Sequence, residues 1–580
     1  MARYLPCADA ALTVEFGSEV SPELHRQVRA FATAVEQAPP DGFVELMPTY
    51  RSVTLQFDPR EAEPTAVEQQ LRDAEARSAA LELAPGRLHV MPVVYGGEGG
   101  PDLGEVARLH NMTPEQVVAM HSKREYLVYA VGFSPGFVFL GGLPEELHTP
   151  RLGTPRKLVP AGTVGIGGQQ TGVYPVPTPG GWRLLGRTNF TLFDVGADPP
   201  CPIQAGDRVV FEPVDTLEPG DNARIALPAR PAEEPALEVL KPGLFTTVQD
   251  LGRWGYQASG VSVAGAMDPL ALRLANRLAG NEPGAAALEV TLLGPRLKAL
   301  RDCTAALAGA IVPLTVNGRS APMNQPIELR AGDELEVGRC TRGARAYLAF
   351  GGGIDVPVVL GSRSTYTRAS FGGFEGRALQ AGDRLALLPA GSEQPPAVSM
   401  QVPLPDGDEA VVRVVLGPQD DHFSEETIQE FLETAFEISG DADRMGYRLA
   451  GHTLTHAGPA EIVSDGVVLG SIQVPPHGNP IVMLADRASM GGYPKIATVI
   501  SADVRLVAQC RPGMRLRFRQ VSPAEARVAL LEQEQCCLGS SAGAARLPVE
   551  DLRRLLSAMQ RAGVDEAVLE SEALNLRLKR

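Results

Sequence analysis

Apolar and polar residues alternate with a period of two in many short stretches of this chain. Only a few segments show the wider spacing of a helix. ALTVEFG (11–17) and SVTLQFD (52–58) alternate as half-buried strands do, and RLHVMPVVYG (87–96) reads as a strand. SPELHRQVRAFATAVEQ (21–37) and PTAVEQQLRDAEARSA (64–79) carry apolar residues at helical spacing. TPEQVVAMHS (113–122) has a capping signature. Asp268 followed by Pro269 opens another amphipathic helix, with the acid as N-cap and proline in the first turn. Between these elements lie turn dipeptides drawn from 61 glycines and 49 prolines, a pattern of β-rich architecture with tight connections.

A short echo runs through the chain. IQAGDRVVFEP (203–213), LRAGDELEVGR (329–339) and LQAGDRLALLP (379–389) each predict a strand, a Gly-Asp turn and a second strand, and CRPGMRLRFRQ (510–520) is a looser copy. The glycine stands where such a turn needs positive φ. Related β-barrel modules that end alike would produce this echo, and so would convergent turn chemistry. The expected division is a small α/β domain at 1–85, barrels at 86–215, 239–395 and 396–521, a proline-rich linker at 216–238 and a tail at 522–580. The tail predicts a helix, a flexible stretch, an amphipathic helix over LPVEDLRRLLSAMQRAG, and a short strand pair.

At 580 residues the chain exceeds one hydrophobic core, which supports several domains. Its net charge of −16 and lack of a basic stripe argue against nucleic acid as partner. No run of 18 apolar residues occurs, so no membrane partner is expected. The start lacks a secretory pattern, and the seven cysteines are scattered without metal-ligand spacing. A reduced, cytoplasmic protein without a metal site is the expectation.

Candidate chemistry gathers in a few loops. ADRASMGGYPKIATV places Asp486 and Lys495 on either side of Gly491, Gly492 and Tyr493. An acid and an amine flanking a glycine bend suit a small polar substrate, because glycines let a ligand approach the backbone. A second loop, from Gly132 to Thr188, is rich in glycine amides and carries Arg156, Arg183 and Arg187, which could hold anionic groups or merely face solvent. His121, at a helix end, is a candidate acid/base or an ordinary helix-end residue. Asp250 and Arg253 precede the SVAGAMD loop and are candidate substrate-binding residues. Asp268 reads as a cap, Asn276 as a helix-surface residue, and Asp443 with Arg444 as an ion pair at a turn.

The stretch GFSPGFVFLGGLP through PRKLVPAGTVGIGGQQTGVYPVPTPGGWRLLGRT resembles the B subunit of bacterial 5-oxoprolinase, a family also called KipI-like or allophanate-hydrolase subunit 1. GLFTTVQDLGRWGY, AGAMD, GGGIDVPVVLGSRSTY, DRMGYRLAG and GGYPKIATV resemble the C subunit of that enzyme, the KipA-like family or allophanate-hydrolase subunit 2. The resemblance covers nearly all of residues 1–521, and the two halves together are similar to the carboxyltransferase region of urea carboxylase. It implies cyclophilin-like β-barrels, so the expected fold is mainly β with α+β parts: several such barrels, the small N-terminal α/β domain and a helical C-terminal tail.

The resemblance also implies function. The first reading is ATP-dependent opening of 5-oxo-L-proline to L-glutamate with a separate A-type subunit, using ATP and Mg²⁺. The second is a biotin-dependent carboxyltransferase acting on urea or a related amide, with biotin carboxylase or carrier components as partners. The third is a regulatory protein that binds a histidine kinase. Asp486 and Lys495 match positions expected beside biotin or the small amide. The family pattern DxQTTGGYPK stands here as DRASMGGYPK, with Ala488 and Met490 at two polar positions, and its S-E-G as Ser464-Asp465-Gly466. The tail resembles the start of a biotin carrier protein, but no Met-Lys-Met site occurs, so biotin is not attached to this chain.

Overall fold

The computed structural model describes residues 2–538 apart from 155, 221, 226–233 and 392–401, and beyond them two strands, Glu566–Ser571 and Leu574–Lys579. The chain divides into two units, Met1–Val528 and Ala529–Arg580. No helix among the described residues is long and apolar enough to cross a membrane.

The N-terminal domain is a four-stranded antiparallel sheet in the order Arg3–Pro6, Ala11–Glu15, Ser52–Phe57, Phe43–Pro48. Helices Pro22–Gln37 and Pro64–Ser78 supply Val28, Phe31, Val67 and Leu71, which pack on Leu12, Val14, Val53 and Leu55. Ser21 caps the first helix by accepting from the Leu24 amide at 3.1 Å. The alternation predicts that the opposite face, with Thr13, Ser52, Thr54 and Gln56, lies in water. It is buried instead, because the last barrel covers it. The Ser52 hydroxyl donates to Asp465 at 2.6 Å, and Val468 packs on Cys7, Ala11 and Met47.

Two closed seven-stranded barrels follow the prediction. The first spans Leu88–Tyr95 to Arg208–Pro213, and the last spans Glu409–Leu416 to Arg515–Gln520. Both close in the same way: first and last strands pair in parallel, Leu88 with Arg208 and Glu409 with Arg515. The module between them is not a ring. Its described strands form a seven-stranded and a five-stranded sheet around one core, a correction to the expected barrel at 239–395. Helix Pro269–Leu278 packs on the long strands Cys303–Ile311 and Arg342–Phe350, and its residues are not part of the core between the two sheets.

The four echo turns share their geometry. Gly206, Gly332, Gly382 and Gly513 all adopt φ between 86° and 99°. In three of them the aspartate accepts the amide three residues back: Gln204 to Asp207 at 3.0 Å, Arg330 to Asp333 at 2.8 Å, and Gln380 to Asp383 at 2.6 Å. Three of the four lead into the last strand of a module. The copy at 329–339 lies inside the middle module and alone has a strand on both sides.

In the second unit, Glu566–Ser571 and Leu574–Lys579 pair antiparallel, as the tail pattern predicts. Helix Pro523–Leu538 matches the start of the tail, whereas the amphipathic helix expected over 547–563 lies outside the described residues.

Candidate functional site

The loops singled out by sequence meet at the junction of the two halves. Gly260 packs so closely on the first barrel that a Cβ there would lie 2.2 Å from the Ser134 carbonyl oxygen. The Gly136 amide donates to the Ser259 carbonyl at 3.0 Å. A Cβ on Gly132 would collide with the Met490 side chain, which is buried among Tyr50, Tyr129, Phe137, Phe139 and Trp182. The Ser262 hydroxyl donates to the Arg487 carbonyl at 2.6 Å, and the Ala264 amide to the Ala485 carbonyl at 3.1 Å. Glu45 of the N-terminal sheet accepts both the Gln257 amide (2.9 Å) and its side chain (2.7 Å), and Arg487 donates to Gln257 Oε1 at 2.7 Å. Segments as distant in sequence as Gly132 and Met490 thus share one interior.

Asp486 and Lys495, expected as a pair, face different partners. Asp486 accepts two bonds from Arg444, Nε to Oδ2 at 3.1 Å and Nη2 to Oδ1 at 3.0 Å. Arg444 also bonds Glu289, which accepts the Tyr347 hydroxyl at 2.7 Å and the Met267 amide at 2.9 Å. Burial pushes the Glu289 carboxyl up, but Arg444 and Arg345 outweigh that and hold it below the usual range. Asp268 caps its helix at 3.1 Å and also accepts Arg505 and Gln509. The expected Asp443–Arg444 pair does not form, since Asp443 takes Arg368 at 2.9 Å instead. Asn276, expected on the helix surface, is buried and donates to the Ala285 carbonyl at 2.7 Å.

Lys495 is fully buried in the seam between the N-terminal sheet and the last barrel. Its Nζ donates to Asp465 Oδ2 at 2.9 Å and to the Gly466 carbonyl at 3.0 Å. Asp465 also accepts Ser52 (2.6 Å) and Gln419 Nε2 (3.1 Å), and Gln419 Oε1 accepts the Lys495 amide at 3.2 Å. Burial raises the Asp465 carboxyl, yet Lys495 and Ser52 together leave it below its ordinary value. Gly491, Gly492 and Tyr493 are half-buried at the outer side of this cluster, and Asp465 pairs with Gly491 in a short ladder. In the sequence Asp465 belongs to a Ser-Asp-Gly turn whose strand end could frame a pocket, and nothing there pairs it with Lys495. Ser52 and Gln419 give no signal there, because only folding brings them to the lysine.

The remaining candidates stand apart from that cluster. His121 is buried in the first barrel's core, stacked on Phe211, with Nδ1 2.7 Å from the Tyr95 hydroxyl and Nε2 2.8 Å from Thr171 Oγ1. Burial lowers its pKa to about 3, so it stays neutral, and its geometry is that of a core residue rather than the expected acid/base. Arg156 is held by the buried Asp102 at 2.7 Å and Arg183 by Glu105 at 2.6 Å, while Arg187 faces solvent. Asp250 organises the Gly361–Thr365 turn, accepting Ser362 Oγ at 2.6 Å and the Arg363 amide at 2.6 Å. Arg253 is fully buried against Phe371; it donates to the Ser364 carbonyl, and burial lowers its pKa to about 10.

A surface concavity of about 430 Å³, lined by Met112, Gln116, Met120 and Lys123, contains none of the motif residues. Among the described residues no group of three or more His, Cys, Asp or Glu side chains is placed to hold a metal ion.

Comparison with known proteins follows the same division into halves. The family described as "Carboxyltransferase domain, subdomain C and D" matches residues 2–203, and "Carboxyltransferase domain, subdomain A and B" matches residues 259–520. The C subunit of 5-oxoprolinase from Escherichia coli (strain K12) is 38% identical over 301 residues, 52% of this chain and 96% of that protein. The B subunit of 5-oxoprolinase from Bacillus subtilis (strain 168) is 43% identical over 215 residues, 35% of this chain and 89% of that protein. The crystal structure of TTHA0988 superposes with a TM-score of 0.78 at 37% identity, covering 90% of this chain and 100% of that one.

Proposed function

The chain belongs to the carboxyltransferase-domain family, with counterparts of the 5-oxoprolinase B and C subunits in one polypeptide, and we propose that it is the fused B–C component of an ATP-dependent 5-oxoprolinase. It opens 5-oxo-L-proline to L-glutamate together with a separate A-type subunit, as a protein of the cytoplasm. An amide carbonyl is a weak electrophile, and phosphorylating its oxygen supplies the leaving group that lets water open the ring. The described residues offer no ligand cluster suited to Mg²⁺, and the sequence has no phosphate-binding loop. The reading places ATP and Mg²⁺ with the A-type partner, since the described residues show no such cluster.

The observation that carries the proposal is the burial of the Lys495 amine where loops of both halves meet. Two of its three N–H groups are engaged by Asp465 and Gly466. The third is left to donate to a lactam oxygen, and in this dry setting such a donor acts strongly on developing charge. Gly491, Gly492 and Tyr493 shape the approach. Asp486, held by Arg444, fixes the loop that carries them. Asp250 and Arg253 support the neighbouring SVAGAMD loop.

A second reading, carboxyl transfer from carboxybiotin to a urea-like nitrogen, is favoured by the family description itself. Purified chain mixed with its A-type partner decides between them. ADP and glutamate formation that requires 5-oxo-L-proline supports the first reading. CO₂ transfer from carboxybiotin without that ATPase supports the second and overturns the first.

A further inference from the structure

Gln473 is the register partner of Lys495 in the antiparallel strands Ser471–Gln473 and Lys495–Val499, across a β-bulge after Ile472. The extra residue, Ile496, joins Ala497 in the barrel core, and Lys495 beside it points to Asp465 in the seam. Ile472, between Ser471 and Gln473, belongs to the barrel core, so Gln473 lies on the outer face, in the seam under the N-terminal sheet. Gln473 is only 6% exposed, and its Nε2 has no hydrogen-bond partner. Buried amides are nearly always paired, and one that is not calls for an explanation. Gly491 lies against it: a Cβ at that position would sit 2.5 Å from Gln473 Nε2. The residue next to the amide has no side chain to compete for the space, and beyond it Gly491, Gly492 and Tyr493 are only half-buried.

The neighbourhood repeats the pattern. Ser471 Oγ and Thr498 Oγ1, opposite each other on the same two strands, are buried without partners, and so is Gln56 Nε2 on the covering sheet. A hydroxyl can be satisfied by one ordered water. The Gln473 amide differs because it stands beside the buried lysine and under the glycine pair.

We propose that Gln473 is a substrate-binding residue, donating its amide N–H to the carbonyl oxygen of a small cyclic amide beside Lys495. The lactam is the substrate class named under Proposed function, and the inference rests on that reading. Two donors of different kinds, one charged and one neutral, fix both the position and the orientation of a planar amide. Saturated rings that lack the carbonyl are then rejected, because the buried donors are left unpaired.

The test uses the full chain with its A-type partner and the substitution Gln473→Met, which keeps length and volume and removes the amide. Because the native amide nitrogen has no partner inside the protein, thermal stability should stay level or rise. The KM for 5-oxo-L-proline should rise about tenfold or more, the size of one lost hydrogen bond in a closed site. An unchanged KM in an active Gln473→Met enzyme overturns the inference and leaves the oxoprolinase reading standing. A lowered melting temperature with unchanged KM assigns Gln473 to structure and also overturns it. Wild-type chain inactive on 5-oxo-L-proline would remove the reading and the inference together. Gln473→Glu is a second probe: its carboxylate repels a carbonyl oxygen, so KM should rise here too if the protein folds.

Discussion

Lys495 and Asp465 form a fully buried ion pair, Nζ to Oδ2 at 2.9 Å, in the seam where the N-terminal sheet covers the last barrel. Removing one member strands the other away from water, and breaking such a pair typically costs about 3–5 kcal/mol. Lys495→Met should lose roughly that much in urea unfolding and lower turnover by about a hundredfold or more, the scale of one lost oxyanion donor. Lys495→Met combined with Asp465→Leu should regain much of the stability, since an apolar pair of similar volume is tolerated. It should regain none of the activity. Recovery of turnover in the double variant would show that the lysine acts only as a strut.

Asp486 serves a different network. Asp486→Asn keeps the shape and removes the charge that Arg444 receives. Arg444 retains Glu289, so the expected loss is smaller, about 1–3 kcal/mol. Activity should fall less than in Lys495→Met. Equal losses in the two variants would mean that the two carboxylate networks act as one.

Gly260 joins the halves. It adopts φ 78°, and a Cβ would lie 2.2 Å from the Ser134 carbonyl oxygen, which is backbone and cannot step aside. Gly260→Ala should therefore destabilise by about 2 kcal/mol or more and raise KM by loosening the junction. Limited proteolysis in the linker region gives an independent readout, and cleavage no faster than in the native chain would contradict it.

Two buried histidines make the fold sensitive to acid. Burial lowers the pKa of His25 to about 4 and of His121 to about 3. Below about 6.5 the unfolded chain takes up a proton at each ring while the folded chain does not. Stability is thus full above that pH and falls as the pH drops, by about 1.4 kcal/mol per unit for each histidine. The urea midpoint should decrease between about pH 6.5 and about pH 4.5, and His121→Gln should flatten the slope by about one proton. An unchanged slope would place the titration elsewhere.

The sequence was most legible where local chemistry decides structure. The caps at Thr113 and Asp268, and the positive φ of the four echo glycines, follow from residues within a turn of one another. The halves were legible through long motifs. Less legible was anything set by burial from a distance. Thr13, Thr54 and Gln56 alternate like a wetted face, and only the last barrel's arrival makes that face an interior. Asp486 and Lys495 are close in sequence, yet their carboxylate and amine turn to Arg444 and Asp465, whose positions no spacing rule supplies. His121 carries the residue type of a proton carrier, and its stack on Phe211 makes it a core group.

On this proposal the seam around Lys495, built by both halves, receives the lactam. Crystals of the full chain soaked in 5-oxo-L-proline test it most directly. The expected result is density for the ring between the N-terminal sheet and the last barrel, with its carbonyl oxygen within hydrogen-bond distance of Lys495 Nζ. A ring bound elsewhere, with the lysine still sealed against Asp465 and Gly466, would contradict it.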